Sequence, residues 1–159
     1  MAADSGRCGA GQLVDKYGSA LFRFCLVMLR NAADAEDAVQ ETLLRYIERS
    51  PEFESAGAER AWLFTVAANR CRDTLRAASR HPQLTLDELA GLGAEKSELG
   101  IWDALMNLPE KYRLALTLHY VEGYSTGEIA SMLGRTPSAI KMRLKKGREL
   151  LGKEIFDGE

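Results

Sequence analysis

The stretch that most constrains this chain runs from Ser125 to Arg148, where the punctuation of two short helices is legible residue by residue. Ser125-Thr126-Gly127-Glu128 has the pattern of a capping box: the serine hydroxyl can accept from the Glu128 amide while the glutamate reaches back. Ile129, Ala130 and Leu133 then form a short apolar face. Gly134 suits the left-handed position that ends a helix. Thr136 is a good N-cap, and Pro137 fits a first helical turn. Two helices joined by a tight glycine-containing turn make a helix-turn-helix.

In the second helix Ile140, Leu144 and Leu151 point inward with Ala139. Lys141, Met142, Lys145 and Lys146 lie on other faces, with Arg143 and Arg148 beside them. In this motif the second helix enters the major groove, where exposed side chains meet base edges and phosphates. A basic helix can also be a solvated face on a core element. Both caps, the turn and an acid-free basic stretch coincide here, which favours DNA contact. Between Arg135 and Arg148 there are six basic residues and no acidic one.

The rest of the chain also reads as helix, with apolar residues three and four apart and no sustained period-two run. The first helix is expected from Leu13 to Arg30, with Leu13, Tyr17, Leu21, Phe24 and Met28 on one face. Asn31 breaks it. Asp34 is the expected N-cap of a second helix ending near Glu48, with Asp37 in the capping-box place. Pro51 to Gly57 reads as a loop, and a third helix runs from Glu59 to about Arg80. Pro82 to Ser97 is the candidate linker. Four helices follow: Glu98–Met106, Pro109–Val121, Ser125–Leu133 and Pro137–Leu151. The expected fold is all-α: a tail 1–12, a helical domain 13–81, a flexible linker 82–97 and a four-helix domain 98–153.

At 159 residues the chain suits one medium or two small domains. No apolar run approaches the ~20 residues of a membrane span, so no membrane insertion is expected. Met1 to Gln12 lacks the apolar core of a signal peptide. The three cysteines, Cys8, Cys25 and Cys71, lack metal-ligand spacing. Cys25 and Cys71 read as buried thiols in a reducing cytoplasm. The net charge of −2 argues against a protein that holds nucleic acid by bulk charge. A single basic patch on an acidic chain implies a DNA reader that draws affinity from something else.

Two further faces stand out. On the third helix Leu63, Val66, Ala67, Cys71, Leu75 and Ala78 form the expected buried stripe. Thr65, Asn69, Arg72, Arg76 and Arg80 form another face, with Arg70 alongside. An arginine row ending in an amide can track phosphates and hydrogen-bond an unstacked base, though such a row is also a common solvated face. Trp62 and Phe64 could stack on bases, but aromatics at this spacing usually belong to a core. On the second helix Ala35, Ala38, Val39, Thr42 and Tyr46 point inward. Its other face carries Asp37, Gln40, Glu41, Leu44 and Glu48. An acidic face is usually solvated; Leu44 among carboxylates has the look of an interface anchor.

Taken together these segments resemble the extracytoplasmic-function sigma factors, the smallest members of the main bacterial sigma family. Asp34-Ala35-Glu36-Asp37-Ala38-Val39-Gln40-Glu41 looks like the family's core-polymerase-binding helix. Ala61 to Arg70 (AWLFTVAANR) looks like its promoter-melting segment. Leu108 to Arg113 (LPEKYR), Tyr124 to Ala130 (YSTGEIA) and Ile140 to Leu144 (IKMRL) look like its C-terminal domain. The similarity spans Leu13 to Leu151 in the family's order. It implies that Asp37, Gln40, Glu41 and Leu44 dock on the clamp of the largest subunit of core RNA polymerase. It implies that Asn69, followed by Arg72, Arg76 and Arg80, handles the minus-ten element. Ser138, Lys141, Met142, Arg143, Lys145 and Lys146 would face the minus-thirty-five element. The implied partners are polymerase, promoter DNA and an anti-sigma factor. Lys141 and Lys146 stand where arginine is common, and Met142 where a small polar residue is. The loop Pro51–Glu59 is acidic where a base-capturing loop would be expected. No further domain is expected after the last helix.

Two other readings use the same features. A sigma-like mimic binding only an anti-sigma factor would not need the basic recognition helix. A stand-alone helix-turn-helix regulator leaves the acidic helix and the Asn69 face without a task. The sequence holds no metal cluster, nucleophile–base pair or glycine-rich phosphate loop, so neither an enzyme, a cofactor, a metal nor a small-molecule substrate is expected.

Overall fold

The computed structural model describes residues 9–49, 51–77 and 96–157, and every element among them is helical. The chain falls into two compact units, residues 1–81 and 82–159.

In the first unit α1 spans Ala10–Leu29, α2 Ala32–Arg49 and α3 Ala56–Ala77. Each begins earlier than the sequence patterns suggest, because a different residue caps it. The Gly9 N–H donates to Gln12 Oε1 at 3.1 Å, so Ala10 to Gln12, expected as tail, are helical. Asn31, not Asp34, caps α2: its Oδ1 accepts from the Asp34 N–H at 2.9 Å. Ser55 Oγ accepts from the Ala58 N–H at 3.1 Å, which starts α3 before Glu59. Between α1 and α2, Arg30 takes the left-handed cap position (φ 59°) and its N–H donates to the Leu26 carbonyl at 2.8 Å.

The α1 stripe Leu13, Tyr17, Leu21, Phe24 and Met28 is buried, and so are Cys25 to Val27 and Leu29 in its last turns. Phe24 meets Phe64 of α3 edge-on, ring centres 5.3 Å apart. The buried side of α3 is Leu63, Phe64, Ala67, Ala68 and Cys71; Val66 and Leu75 are only half-buried. Phe64 therefore belongs to the core and has no free face for a base. Cys25 and Cys71 are buried free thiols. Cys8, Ala78, Arg80 and His81 lie outside the described residues, as do residues 82–95 of the expected linker; Lys96 and Ser97 already belong to the next helix.

In the second unit α4 spans Lys96–Met106 and α5 Glu110–Leu116. The expected helix Pro109–Val121 is not uniform: after Leu116 it widens into a π turn, Thr117–Val121, closed by the Glu122 N–H on the Thr117 carbonyl at 3.0 Å. The buried Thr117 hydroxyl donates to the Arg113 carbonyl at 2.7 Å, the back-bond that bends helices. Buried Arg113 donates from Nη1 to the Met106 and Leu108 carbonyls at 3.0 and 2.9 Å, pinning α5 to the end of α4. Then come α6, Thr126–Leu133, and α7, Pro137–Asp157, which runs past its expected end at Leu151. No described helix is long and apolar enough to cross a membrane.

Candidate nucleic-acid and polymerase interfaces

The α6–α7 pair is held by the local bonds its sequence announces. Ser125 Oγ accepts from the Glu128 N–H at 3.1 Å, and Glu128 Oε1 accepts from the Ser125 N–H at 3.0 Å. The backbone bond first, and the hydroxyl with it, hold the Glu128 carboxyl below its ordinary pKa, since both favour the charged form. Gly134 is left-handed (φ 65°), and the Arg135 N–H closes on the Ala130 carbonyl at 2.8 Å. Thr136 Oγ1 accepts from the Ala139 N–H at 3.1 Å.

These bonds fix how α7 is presented. Ile140, Leu144 and Gly147 face the core, and Leu151 is half-buried. Gly147 was not singled out by the sequence pattern, yet a Cβ there would sit 3.1 Å from the Leu116 side chain, so any larger residue would push Leu116 aside where α7 packs on α5. Ser138, Lys141, Lys145 and Lys146 are exposed, and Met142 is 73% exposed. Arg143 is half-buried. Arg148 turns aside to donate to the Tyr120 hydroxyl at 3.0 Å.

On α2, Asp37, Gln40 and Glu48 are exposed beside Leu44 at 53%. Ile47, three residues on, is equally open at 50%, and the sequence reading passed over it. Glu41 is half-buried because it is paired, with Oε2 3.1 Å from Nε of Arg70 on α3. On α3, Asn69 is exposed and Arg72 half-buried. Arg76 is exposed, 3.7 Å from Asp73. Thr65 turns its hydroxyl back to the Ala61 carbonyl at 2.7 Å. Trp62 is half-buried, edge-on to Tyr46 and Phe53. Glu59, expected in an acidic loop, is buried and accepts from two tyrosine hydroxyls. No group of His, Cys, Asp and Glu among the described residues could hold a metal.

A three-helix unit with an acidic, partly apolar face and a second unit ending in a helix-turn-helix make the arrangement of a DNA-reading transcription factor. Residues 13–81 match the family Sigma-70 region 2, and residues 99–151 match Sigma-70, region 4. The ECF RNA polymerase sigma factor SigL of Mycobacterium tuberculosis is 39% identical over 146 residues, covering 83% of this chain and 80% of that protein. CarQ, an RNA polymerase sigma factor of Myxococcus xanthus, is 37% identical over 141 residues, 81% of each chain. Among solved structures, CnrH in complex with the cytosolic domain of CnrY superposes with a TM-score of 0.71 at 26% identity, covering 94% of this chain and 88% of that one. The chain belongs to the extracytoplasmic-function sigma factors of the sigma-70 family. It is an alternative sigma factor: it binds core RNA polymerase, recognises minus-thirty-five and minus-ten promoter elements and directs transcription initiation. That family acts in initiation and is not a family of catalytic enzymes.

Proposed function

We propose that the sigma activity is divided among three faces. Asp37, Gln40, Glu41 and Leu44 of α2 dock on the clamp of polymerase's largest subunit, with Ile47 extending the apolar contact. Asn69, with Arg72, Arg76 and Arg80, takes the displaced strand of the minus-ten element. Ser138, Lys141, Met142, Arg143, Lys145 and Lys146 face the minus-thirty-five duplex. Domain 13–81 carries the first two tasks, 98–153 the third, and 82–97 links them. The factor works in the cytoplasm, where its polymerase is. An anti-sigma protein is its natural inhibitor.

The observation that carries this reading is the exposed basic face of α7 from Ser138 to Lys146, in a stretch without an acidic residue up to Arg148, on a capped helix-turn-helix. The open Leu44 among carboxylates on α2 supports the docking face. The test is reconstitution with core polymerase. Asp37→Arg combined with Gln40→Ala is expected to weaken core binding at least about tenfold, the loss of one well-placed charge contact, with the helical circular dichroism unchanged. Wild-type core affinity in that variant would remove α2 from the interface.

A further inference from the structure

Tyr120 is 58% exposed on the π turn, and its hydroxyl accepts from Arg148 Nη1 of α7 at 3.0 Å. Packing brings the two together: Gly147, beside Arg148, lies against Leu116, the residue before the π turn. The turn is held by its own bonds. The Glu122 N–H closes on the Thr117 carbonyl, and the Tyr124 N–H returns to the Leu118 carbonyl at 3.0 Å, across a Gly123 whose φ is 81°. His119 Nδ1 lies 2.7 Å from the Tyr124 carbonyl oxygen, which can only accept, so Nδ1 carries the proton. The imidazole fixed in this way meets the Tyr120 ring edge-on, ring centres 4.7 Å apart.

Lys141, Lys145 and Arg148 are all exposed and follow one another at spacings of four and three, along one stripe of α7. Arg148 is about 10 Å beyond Lys141 along the helix axis. A recognition helix meets bases with its first turns, in a major groove about 12 Å wide. A cation that far along the stripe comes up against the groove wall, where the phosphates are. Arg148 would meet a phosphate there if its side chain ran on with the lysines. Its guanidinium is turned to the π turn instead. The acceptor is a neutral phenol, so the bond redirects the charge without cancelling it.

We propose that Tyr120 is a positioning residue that withholds Arg148 from the DNA backbone, and so holds down the affinity of the free factor for duplex of any sequence. This rests on the reading that the α7 face meets the minus-thirty-five duplex. Phosphate contacts carry no sequence information. One contact fewer therefore weakens binding to every duplex alike and leaves base selection to Lys141, Met142 and Lys146.

The experiment uses the full chain and two labelled duplexes of equal length, one a promoter fragment that the holoenzyme transcribes and one unrelated. Fluorescence anisotropy gives the affinity for each at several salt concentrations. Tyr120→Phe keeps the ring on His119 and removes the acceptor. It should bind both duplexes about threefold or more tightly, since the hydrogen bond no longer competes with the phosphate. Its log–log salt slope should steepen by about 0.9, one more phosphate neutralised. Arg148→Ala alone should stay within about twofold of wild type, and added to Tyr120→Phe it should abolish the gain. A damaged fold would lose affinity and cannot imitate this result.

Unchanged affinity and slope in Tyr120→Phe would overturn the proposal. So would weaker binding in both Tyr120→Phe and Arg148→Ala, which would make the pair a joint grip on a phosphate. Lys141→Ala combined with Lys145→Ala tests the reading underneath. If that variant binds duplex as wild type does, the reading of the α7 face fails and the proposal with it. If it binds weakly while Tyr120→Phe has no effect, the face stands and Arg148 is not withheld.

Discussion

Lys141 and Lys146 present point charges where a guanidinium would present a rigid fork. A lysine ammonium can reach guanine O6 or N7 but does not pair with both in the planar geometry that arginine uses. Both are exposed on α7, flanking a Met142 that is open enough to meet a thymine methyl. The base preference at the upstream element should therefore be softer at Lys141 and Lys146 and more apolar at Met142. If Lys141 contacts a base edge, Lys141→Ala should lower affinity for the preferred sequence by roughly 1–3 kcal/mol and flatten selectivity at one position. Binding of holoenzyme to a panel of single-base variants checks this. An equal loss on every sequence would make Lys141 a phosphate contact.

The elements were legible where their boundaries are set by neighbours in sequence. The capping box at Ser125, the Gly134 turn and the Thr136 cap are all within four residues of what they bond, and all three stand as read. At Asn31 and Ser55 the same chemistry was present, but the second helix was expected to cap at Asp34 and the third to begin at Glu59. What periodicity does not carry is tertiary. Gly147 matters because Leu116 lies against it, Glu59 because Tyr17 and Tyr46 reach it, and Glu41 because Arg70 pairs with it. The candidate faces were thus found as faces, while the pairing of Glu41 and the cluster around Phe53 needed coordinates. The cap on α6 also predicts a pH dependence. The lowered pKa of Glu128 means the folded state favours its charged form. Its contribution is full above the ordinary glutamate pKa of about 4.3 and is lost as pH falls through the lower folded value. Glu128→Gln should thus be less stable than wild type near neutrality, with the gap closing in acid. Urea midpoints of the full chain across that range measure it, and a gap constant with pH would remove Glu128 as its source. Ser125→Ala, which removes the other half of the box, should cost about 0.5–2 kcal/mol.

As a whole the molecule carries a net charge of −2, so its basic groups act as a patch on an acidic body. The patch on α7 is also smaller than its sequence suggests: Arg148 is engaged by Tyr120, and Arg143 is half-buried. In the other unit Arg70 is engaged by Glu41 and Arg76 lies near Asp73. The α7 face thus presents few cations to displace counterions, and the net negative charge of the chain opposes a long duplex. The isolated factor should therefore bind promoter duplex no more tightly than about 10⁻⁶ M at physiological salt, within the range of non-specific binding. Its log–log salt slope should be shallow, about −3, since each phosphate neutralised contributes about −0.9 and Lys141, Lys145 and Lys146 are the exposed lysines of the α7 face read as meeting the duplex. Holoenzyme should bind far more tightly and with a steeper slope, because polymerase adds phosphate contacts of its own. Fluorescence anisotropy with a labelled promoter duplex, with and without core polymerase, tests both quantities. Nanomolar binding by the factor alone would mean that the chain supplies its own affinity, and that the division of labour between reader and polymerase is wrong.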